Sequence, residues 1–478
     1  MSRFLKESWG EFWQSLTSKV GLLFLAIVLA ISIFTVSTMP LDYGTRYWSN
    51  PYYWIDQPKA AQPTWVNRFA SEKLLEHIEV STSIPTSSYV SGSFYLKVYD
   101  VVYNLNLERF PTFIILKINN AQYMIKPPLI SVNIIRPDGI KIELYTLTVS
   151  NPLADEQPPY VKYIDEPRRI LLSGEPNLAR SLAEYLLNEY DLVVTPGVIS
   201  SEIGYEEILF GKHISENNFE PLLGDYTFEV ILRGKAEDKL GKVTMILGGE
   251  VYGAMGTDIQ GRDLAQGLLF GFPIALLIGF TTSVIVTIIG ASLGIIGGYT
   301  GGVIDNIIQR AADIVNNIPQ LPLLIFFTFL FGGDILVVVG VLIAFGWPTL
   351  VIVTRSMILS IKEAPFVESA VAIGASRWRI MARHIFPQVA PYILSQMIFF
   401  TPSAILTEAA LSFLGLGDPT LPTWGQILEY GFKNGAVYLG YWHWVLPPGI
   451  LIVFSAITFV LIALGLEPVV NPRLRRRR

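Results

Sequence analysis

Ionisable residues are scarce in the long apolar runs of this chain, so the few that fall inside them come first. Asp305, Arg310 and Asp313 lie near the start of one run, and Glu408 lies deep in another. A charge inside a bilayer is costly and is kept where it pairs or transfers something. Arg310 and Asp313 are three apart and can pair on one helix face. A proton relay needs a chain of such groups, which these positions do not make, so structural ion pairs that fix helix packing are the favoured reading. Other chemistry is excluded by what is missing. The chain has no cysteine, hence no disulfide, thiolate nucleophile or Cys-based zinc site. Its four histidines are scattered and no His-Glu-x-x-His occurs. No Gly-x-x-x-x-Gly-Lys-Ser/Thr loop is present, so the chain does not cradle ATP phosphates in that manner. Nothing in the charge pattern points to nucleic acid.

A second group of residues is placed for mechanical work. In Glu363 to Pro391, Pro365 can open a short helix, because the first turn does not need its missing N–H. Glu368, Ala370, Val371 and Ala372 continue it, and Gly374 can end it with a positive φ. Ser376 can cap a second helix from Arg377 to Ile385, which is expected to stop before Pro387. Small side chains at Ala370, Ala372, Gly374 and Ala375 permit close approach by another surface. Such a segment is either a lever pressed by a partner protein or an ordinary basic loop.

These residues need elements to hold them, and composition says which. The chain is 51% hydrophobic and only 16% charged, against about 25% charged in soluble domains. A bilayer core takes about 20 apolar residues per helix. Val20 to Met39 is such a run, too long for a signal peptide and without a good cleavage site. Further spans are expected at about 265–297, 303–331, 334–360, 389–415 and 444–466. Arg3, Lys6 and Lys19, the basic segment 361–388 and the arginine tail (Arg473, Arg475 to Arg478) mark one side as cytoplasmic, whereas 416–443 carries no arginine. Six spans then put both termini inside. Between residues 41 and 262 charge returns and alternation appears, as in Ile140-Lys141-Ile142-Glu143-Leu144. Strands are expected at 93–102, 112–118, 131–135, 140–144, 226–233 and 243–251, with a hairpin turn at Pro137-Asp138-Gly139 and one helix near 176–189. The expected fold is an all-α membrane bundle of six transmembrane helices with an inserted, mainly β, sandwich-like extracytoplasmic domain. Its divisions are 1–40 (cytoplasmic N-terminus and first span), 41–262 (outside), 263–470 (five-helix core) and 471–478 (basic cytoplasmic tail). The aromatic cluster Tyr43, Tyr47, Trp48, Tyr52, Tyr53, Trp54 and Trp65 fits an interfacial belt or domain packing, with contact to a sugar or a binding protein as the alternative.

Glu368-Ser369-Ala370, then Gly374, then His384-Ile385-Phe386-Pro387 resembles the EAA signature of ABC importer permeases. Ser369 replaces the middle alanine, and His384 and Phe386 stand where the general pattern has Ile and Leu. Gly256-Thr257-Asp258-Ile259-Gln260-Gly261-Arg262-Asp263 resembles a signature of the dipeptide/oligopeptide/nickel branch, in the partner with a single helix before its extracytoplasmic segment. So do Gly298 to Asp305 with Arg310 and Asp313, and Leu411 to Gly417, including Gly415, with Glu408 before it and Trp424-Gly425 after it. Four motifs in order across 253–473 are specific together. There are departures. Phe272-Pro273 replace an arginine-containing stretch, and Ile352 stands where a first arginine precedes the one matched by Arg355. The usual acidic and basic residues before the terminal motif are missing at 464–467 and 471–473, and the 41–262 insertion is several times longer than in common relatives.

The resemblance implies a transport subunit of the cell membrane rather than an enzyme. A homologous second permease, two ABC ATPases that bind ATP and Mg, an extracytoplasmic substrate-binding protein and the lipid bilayer are the implied partners, with no cofactor in this chain. Segment 363–387 would be the coupling segment, through Glu368, Ala370, Gly374, Ala375, Ser376, Arg379 and Pro387. Gly256, Asp258, Gly261, Arg262, Asp263, Asp305, Arg310, Asp313, Arg355, Glu408, Gly415 and Gly417 are family-motif positions with structural roles. The implied cargo is di- or oligopeptides, moved by alternating access. Oligosaccharide cargo for the same machine, or a secondary transporter without an ATPase, are the alternatives.

Overall fold

The computed structural model describes residues 12–13, 15–92, 94–153, 155–215 and 217–470. Arg3, Lys6 and the arginine tail at 471–478 lie outside the described residues. Two units form, one from the chain up to Tyr53 together with Leu264 onward, the other Trp54–Asp263. The β unit therefore begins at Trp54 rather than residue 41. The reason is packing: Tyr43 and Trp48 are buried in the helical unit, where Tyr43 Oη donates to Gln266 Oε1 at 3.2 Å.

In the helical unit, α1 spans Leu16–Thr38. In the β unit, β1 (Ile78–Thr82), β4 (Ile114–Tyr123), β7 (Tyr160–Lys162), β8 (Arg168–Leu171) and β12 (Lys239–Leu247) form one sheet, in which β12 lies between β1 and β4. The other sheet runs β2 (Ser87–Ser91), β3 (Phe94–Leu105), β11 (Gly224–Gly234), β5 (Leu129–Ile135) and β6 (Lys141–Thr148). A small ribbon joins β9 (Gly211–Ser215) and β10 (Asn218–Pro221). All these pairings are antiparallel. Alternate residues of both five-stranded sheets, such as Tyr99, Val101 and Tyr103 from β3 and Ile114, Leu116 and Ile118 from β4, enter one core. That is the sandwich which the alternation predicted, since period-two burial leaves each sheet one dry face. The expected turn joins β5 to β6, with Gly139 at φ +84° and Gly139 N donating to Arg136 O. Helix α2 (Pro176–Tyr190) closes on the core through Leu178, Leu182 and Leu186. The strands β1, β2 and β7–β10 were not foreseen; most are short, and β2 is exposed along its whole length, so no buried face patterns it.

Past the β unit, the chain builds α3 (Leu264–Thr300), α4 (Gly302–Asn316), α5 (Gln320–Phe331), α6 (Ile335–Gly346), α7 (Pro348–Ile361), α8 (Pro365–Ala372), α9 (Arg377–Ile380), α10 (Phe386–Phe413), α11 (Trp424–Lys433) and α12 (Trp442–Val470). Among the described residues five helical stretches are long and apolar enough to cross a membrane, or six if the bent pair α4–α5 counts as one. The single helix expected over 303–331 is instead a broken one, in which α4 and α5 meet at 79°. Pro319 is the cause, because it biases the preceding residue away from α geometry and lacks the N–H to continue the ladder. A second correction concerns the helix expected to stop before Pro387. It passes from α9 through a π turn at Met381–Ile385 straight into α10. The wider turn accommodates the proline where an α turn would clash.

The spans are held together by small residues. Gly290, Gly294 and Gly298 recur every fourth position on α3 and face α7. A Cβ on Gly294 would lie 2.9 Å from Val351 O, and one on Gly298 would lie 3.1 Å from Arg355 O. Backbones that approach this closely gain dispersion contacts that substitute for the weak hydrophobic drive between helices in lipid.

Candidate functional site

The helix–turn–helix at 365–380 forms as the residues require. Pro365 opens α8 after Ala364 in an extended conformation, and Glu368 lies in the first turn, where a carboxylate favours the helix dipole. Gly374 takes φ +80° and donates to Val371 O, while Ala375 N donates to Ala370 O at 3.1 Å. Ser376 Oγ then accepts from Arg379 N at 3.4 Å and starts α9. Val367, Ala370, Ile380, Met381 and Ile385 turn inward onto Ala291 and Ile295 of α3 and Ile358 of α7. Ala370 is therefore small for its own bundle and not for a visiting surface, which corrects the sequence expectation. What faces outward is Glu368, Arg377 and Arg379, together with Phe366, Val371, Ile373 and Trp378. Ile373 is 84% exposed and Trp378 70%. The aliphatic and aromatic residues were missed from sequence, although apolar side chains in an otherwise basic segment were the available signal. An apolar groove of about 190 Å³ beside Trp378 is lined by Ser292, Ile296, Met381 and Phe386.

Behind this segment, Arg355 on α7 clasps Asp305 on α4 with two bonds, Nε to Oδ1 and Nη2 to Oδ2, each 2.6 Å. Arg310 and Asp313 are exposed and form no ion pair among the described residues, so the pairing expected between them is replaced by Asp305–Arg355. Spacing within one helix could not reveal a partner on another. Glu408 on α10 is buried and accepts from Ser412 Oγ at 2.7 Å. Gly415, at φ +78°, ends that helix. A Cβ on Gly417 would fall 2.1 Å from Ser412 Oγ, and one on Gly425 would fall 2.6 Å from Ala409 O. The chain can therefore fold α11 tightly against α10, where Trp424 Nε1 donates to Leu268 O at 2.9 Å.

The motif at 256–263 is a staple inside the β unit. Asp258 Oδ1 accepts from Gln260 N and Arg262 N, and Oδ2 meets Arg262 Nε at 2.5 Å. Thr257 Oγ1 donates to Pro58 O at 2.6 Å and bridges to Asp263 through the backbone. Gly256 and Gly261 take positive φ, and Gly261 leaves room for Trp54 O and Gln57 O. None of these groups is arranged as a nucleophile with its base; they fasten a chain crossing.

The family described as "Binding-protein-dependent transport system inner membrane component" matches residues 290–476. The dipeptide transport system permease protein DppC of Lactococcus lactis subsp. cremoris is 33% identical over 219 residues, covering 46% of this chain and 63% of that protein. DppC of Bacillus subtilis is 31% identical over 222 residues, covering 46% of this chain and 69% of its own length. The oligopeptide transport system permease protein OppC of Haemophilus influenzae is 33% identical over 228 residues, covering 47% and 72%. This chain belongs to the binding-protein-dependent ABC permeases. It falls in their dipeptide/oligopeptide branch, as a multi-pass membrane subunit. Among solved structures, an inward-facing form of the MetNI methionine ABC transporter matches 44% of this chain and 97% of that one, at 20% identity with a TM-score of 0.35. The match to the permease family runs from the middle of α3 through α12 and includes both the helix–turn–helix and the Asp305–Arg355 clasp. Near the start of α3, Phe272 packs edge-to-face on Trp424 with ring centres 4.9 Å apart.

Proposed function

We propose that this permease pairs with a homologous permease and moves di- or oligopeptides inward, driven by two ABC ATPases that bind ATP and Mg, with cargo delivered by an extracytoplasmic binding protein. The observation that carries the proposal is the exposed helix–turn–helix at 365–380, whose second helix continues without a break into α10. A displacement of Trp378 by a partner would travel along a helix of 37 residues, reaching Glu408 after roughly 45 Å at about 1.5 Å per residue. Glu368, Gly374, Ser376 and Arg379 present or shape that surface, and Ala370, Ala375 and Pro387 anchor it. Coupling then means that ATPase closure stabilises one state of the permease pair more than the other.

In this reading both termini and segment 361–388 are cytoplasmic, as the distribution of Lys and Arg favours, and residues 54–263 lie outside. The β unit would receive the binding protein or guard the outer gate. Purification through a tag on this chain, with identification of what co-purifies and thermal-shift screening of the receptor, tests the whole scheme. Two ATPases, a second permease and a peptide-stabilised receptor are expected. Absence of any ATPase would reduce 363–387 to a basic loop, and a sugar-stabilised receptor would replace the cargo.

A further inference from the structure

The break between α4 and α5 opens onto a cavity of about 190 Å³ inside the helical unit. Polar side chains from five elements converge there: Thr282 of α3, Asn316 of α4 and Gln320 of α5 on either side of the break, Thr349 of α7, and Ser403 and Thr407 of α10. Valine, isoleucine, leucine, phenylalanine, alanine and glycine make the rest of the wall, and among the described residues no charged one lines it. Irregular backbone at membrane depth is tolerated where it lines a cavity, not where it meets lipid. The Pro319 cap gives the first turn of α5 no side-chain partner, so that end of a 12-residue helix keeps donor capacity. A second observation is independent of the helix end. Thr282 is 5% exposed, and its Oγ1 has no hydrogen-bond partner among the described residues. A buried hydroxyl is costly to leave unsatisfied, and a passing ligand would satisfy it.

We infer that this cavity is a transit site that binds the main-chain amide groups of the translocated peptide. Hydroxyls and carboxamides both donate and accept, as a peptide bond requires of its host. With no charge in the wall, binding is indifferent to the side chains of the cargo, and the volume suits one residue of a chain passing through. Thr349 Oγ1 and Asn316 Oδ1, 3.3 Å apart, join the two sides of the cradle. The inference rests on the peptide reading above and names residues for it.

The test uses cells carrying the full transporter, with labelled tri-alanine and the same tripeptide N-methylated at its central amide as probes. Thr282→Val should lower tri-alanine uptake about three- to tenfold, the effect of one lost hydrogen bond, at unchanged protein level in the membrane. It should also narrow the preference for tri-alanine over its methylated form, and Thr282→Ser should restore both. Every variant uses the same receptor, so a change in that preference reports on the membrane path. Unchanged uptake and preference in Thr282→Val would overturn the inference, as would an unsubstituted transporter that imports both probes equally. If Thr282→Val does not reach the membrane, Thr349→Val, at an exposed position, is read by the same two criteria. Failure of the unsubstituted transporter to import either probe would instead bring down the peptide reading and the inference with it.

Discussion

His77 lies in the β unit with its ring edge-on to Tyr252 and 6.1 Å from Phe113. Burial pushes its pKa from 6.5 down to about 4, against a smaller opposite pull from Asp56. The folded state thus resists a proton that the unfolded chain takes up. Stability is complete above pH 6.5 and falls as pH drops towards 4, by about 3 kcal/mol in all. Protection of the β unit's amides in the full chain, taken relative to the intrinsic exchange rate at each pH, should therefore fall between pH 6.5 and 4, and His77→Phe should flatten that dependence. An unchanged slope in the variant would assign the acid sensitivity to another group. Two buried or half-buried arginines make a similar point about partners. Arg136 is 2% exposed and donates to Ile208 O and Gly211 O as well as to Asp138. Arg355 holds Asp305 fifty positions away. Asp305→Asn or Arg355→Gln alone should destabilise the helical unit by roughly 2–4 kcal/mol, and the double change Asp305→Leu with Arg355→Met should recover much of it. Thermal melts in detergent would show this as non-additive shifts; additive shifts would mean that the clasp contributes little.

At the scale of elements, the turn between α8 and α9 is governed by one dihedral. A Cβ at Gly374 would meet nothing within 4 Å, so any penalty there comes from its φ of +80° alone. Gly374→Asn should keep transport, because asparagine tolerates the left-handed region, whereas Gly374→Val should impose about 1–2 kcal/mol of strain and lower uptake with the protein still in the membrane. Equal uptake by the two variants would show that the turn's geometry does not matter for coupling. The glycine stripe on α3 works by the opposite means, through contact. Gly294→Leu collides with Thr354 and Val351 of α7, so it should lower the melting temperature in detergent and the amount of intact protein. Both elements were legible in part. Pro365, Gly374 and Ser376 announce their caps locally. The bend at Pro319 and the continuity through Pro387 were misread, because one proline ended an α segment and the other was absorbed by a π turn. Sequence alone does not say which outcome the neighbouring helices support.

For the molecule as a whole, the β unit and the helical unit each enclose their own cores. Replacing 54–263 with a short flexible linker should leave a helical unit that inserts and co-purifies with the ATPases proposed above, while uptake falls. Loss of membrane insertion would mean that the β unit is needed for folding. Apolar runs and two-residue alternation, read without any contact map, determined that the chain is a membrane bundle with an inserted β domain, since bilayer thickness and sheet pleat impose those periods directly. Local caps and short motifs likewise determined the helix–turn–helix at 365–380. Only tertiary structure decided that Asp305 meets Arg355, that Ala370 faces inward while Ile373 and Trp378 face out, and that polar residues from five elements share one cavity. Those facts depend on the rotation of each helix about its axis and on partners far away in the chain, and packing fixes both where local sequence does not.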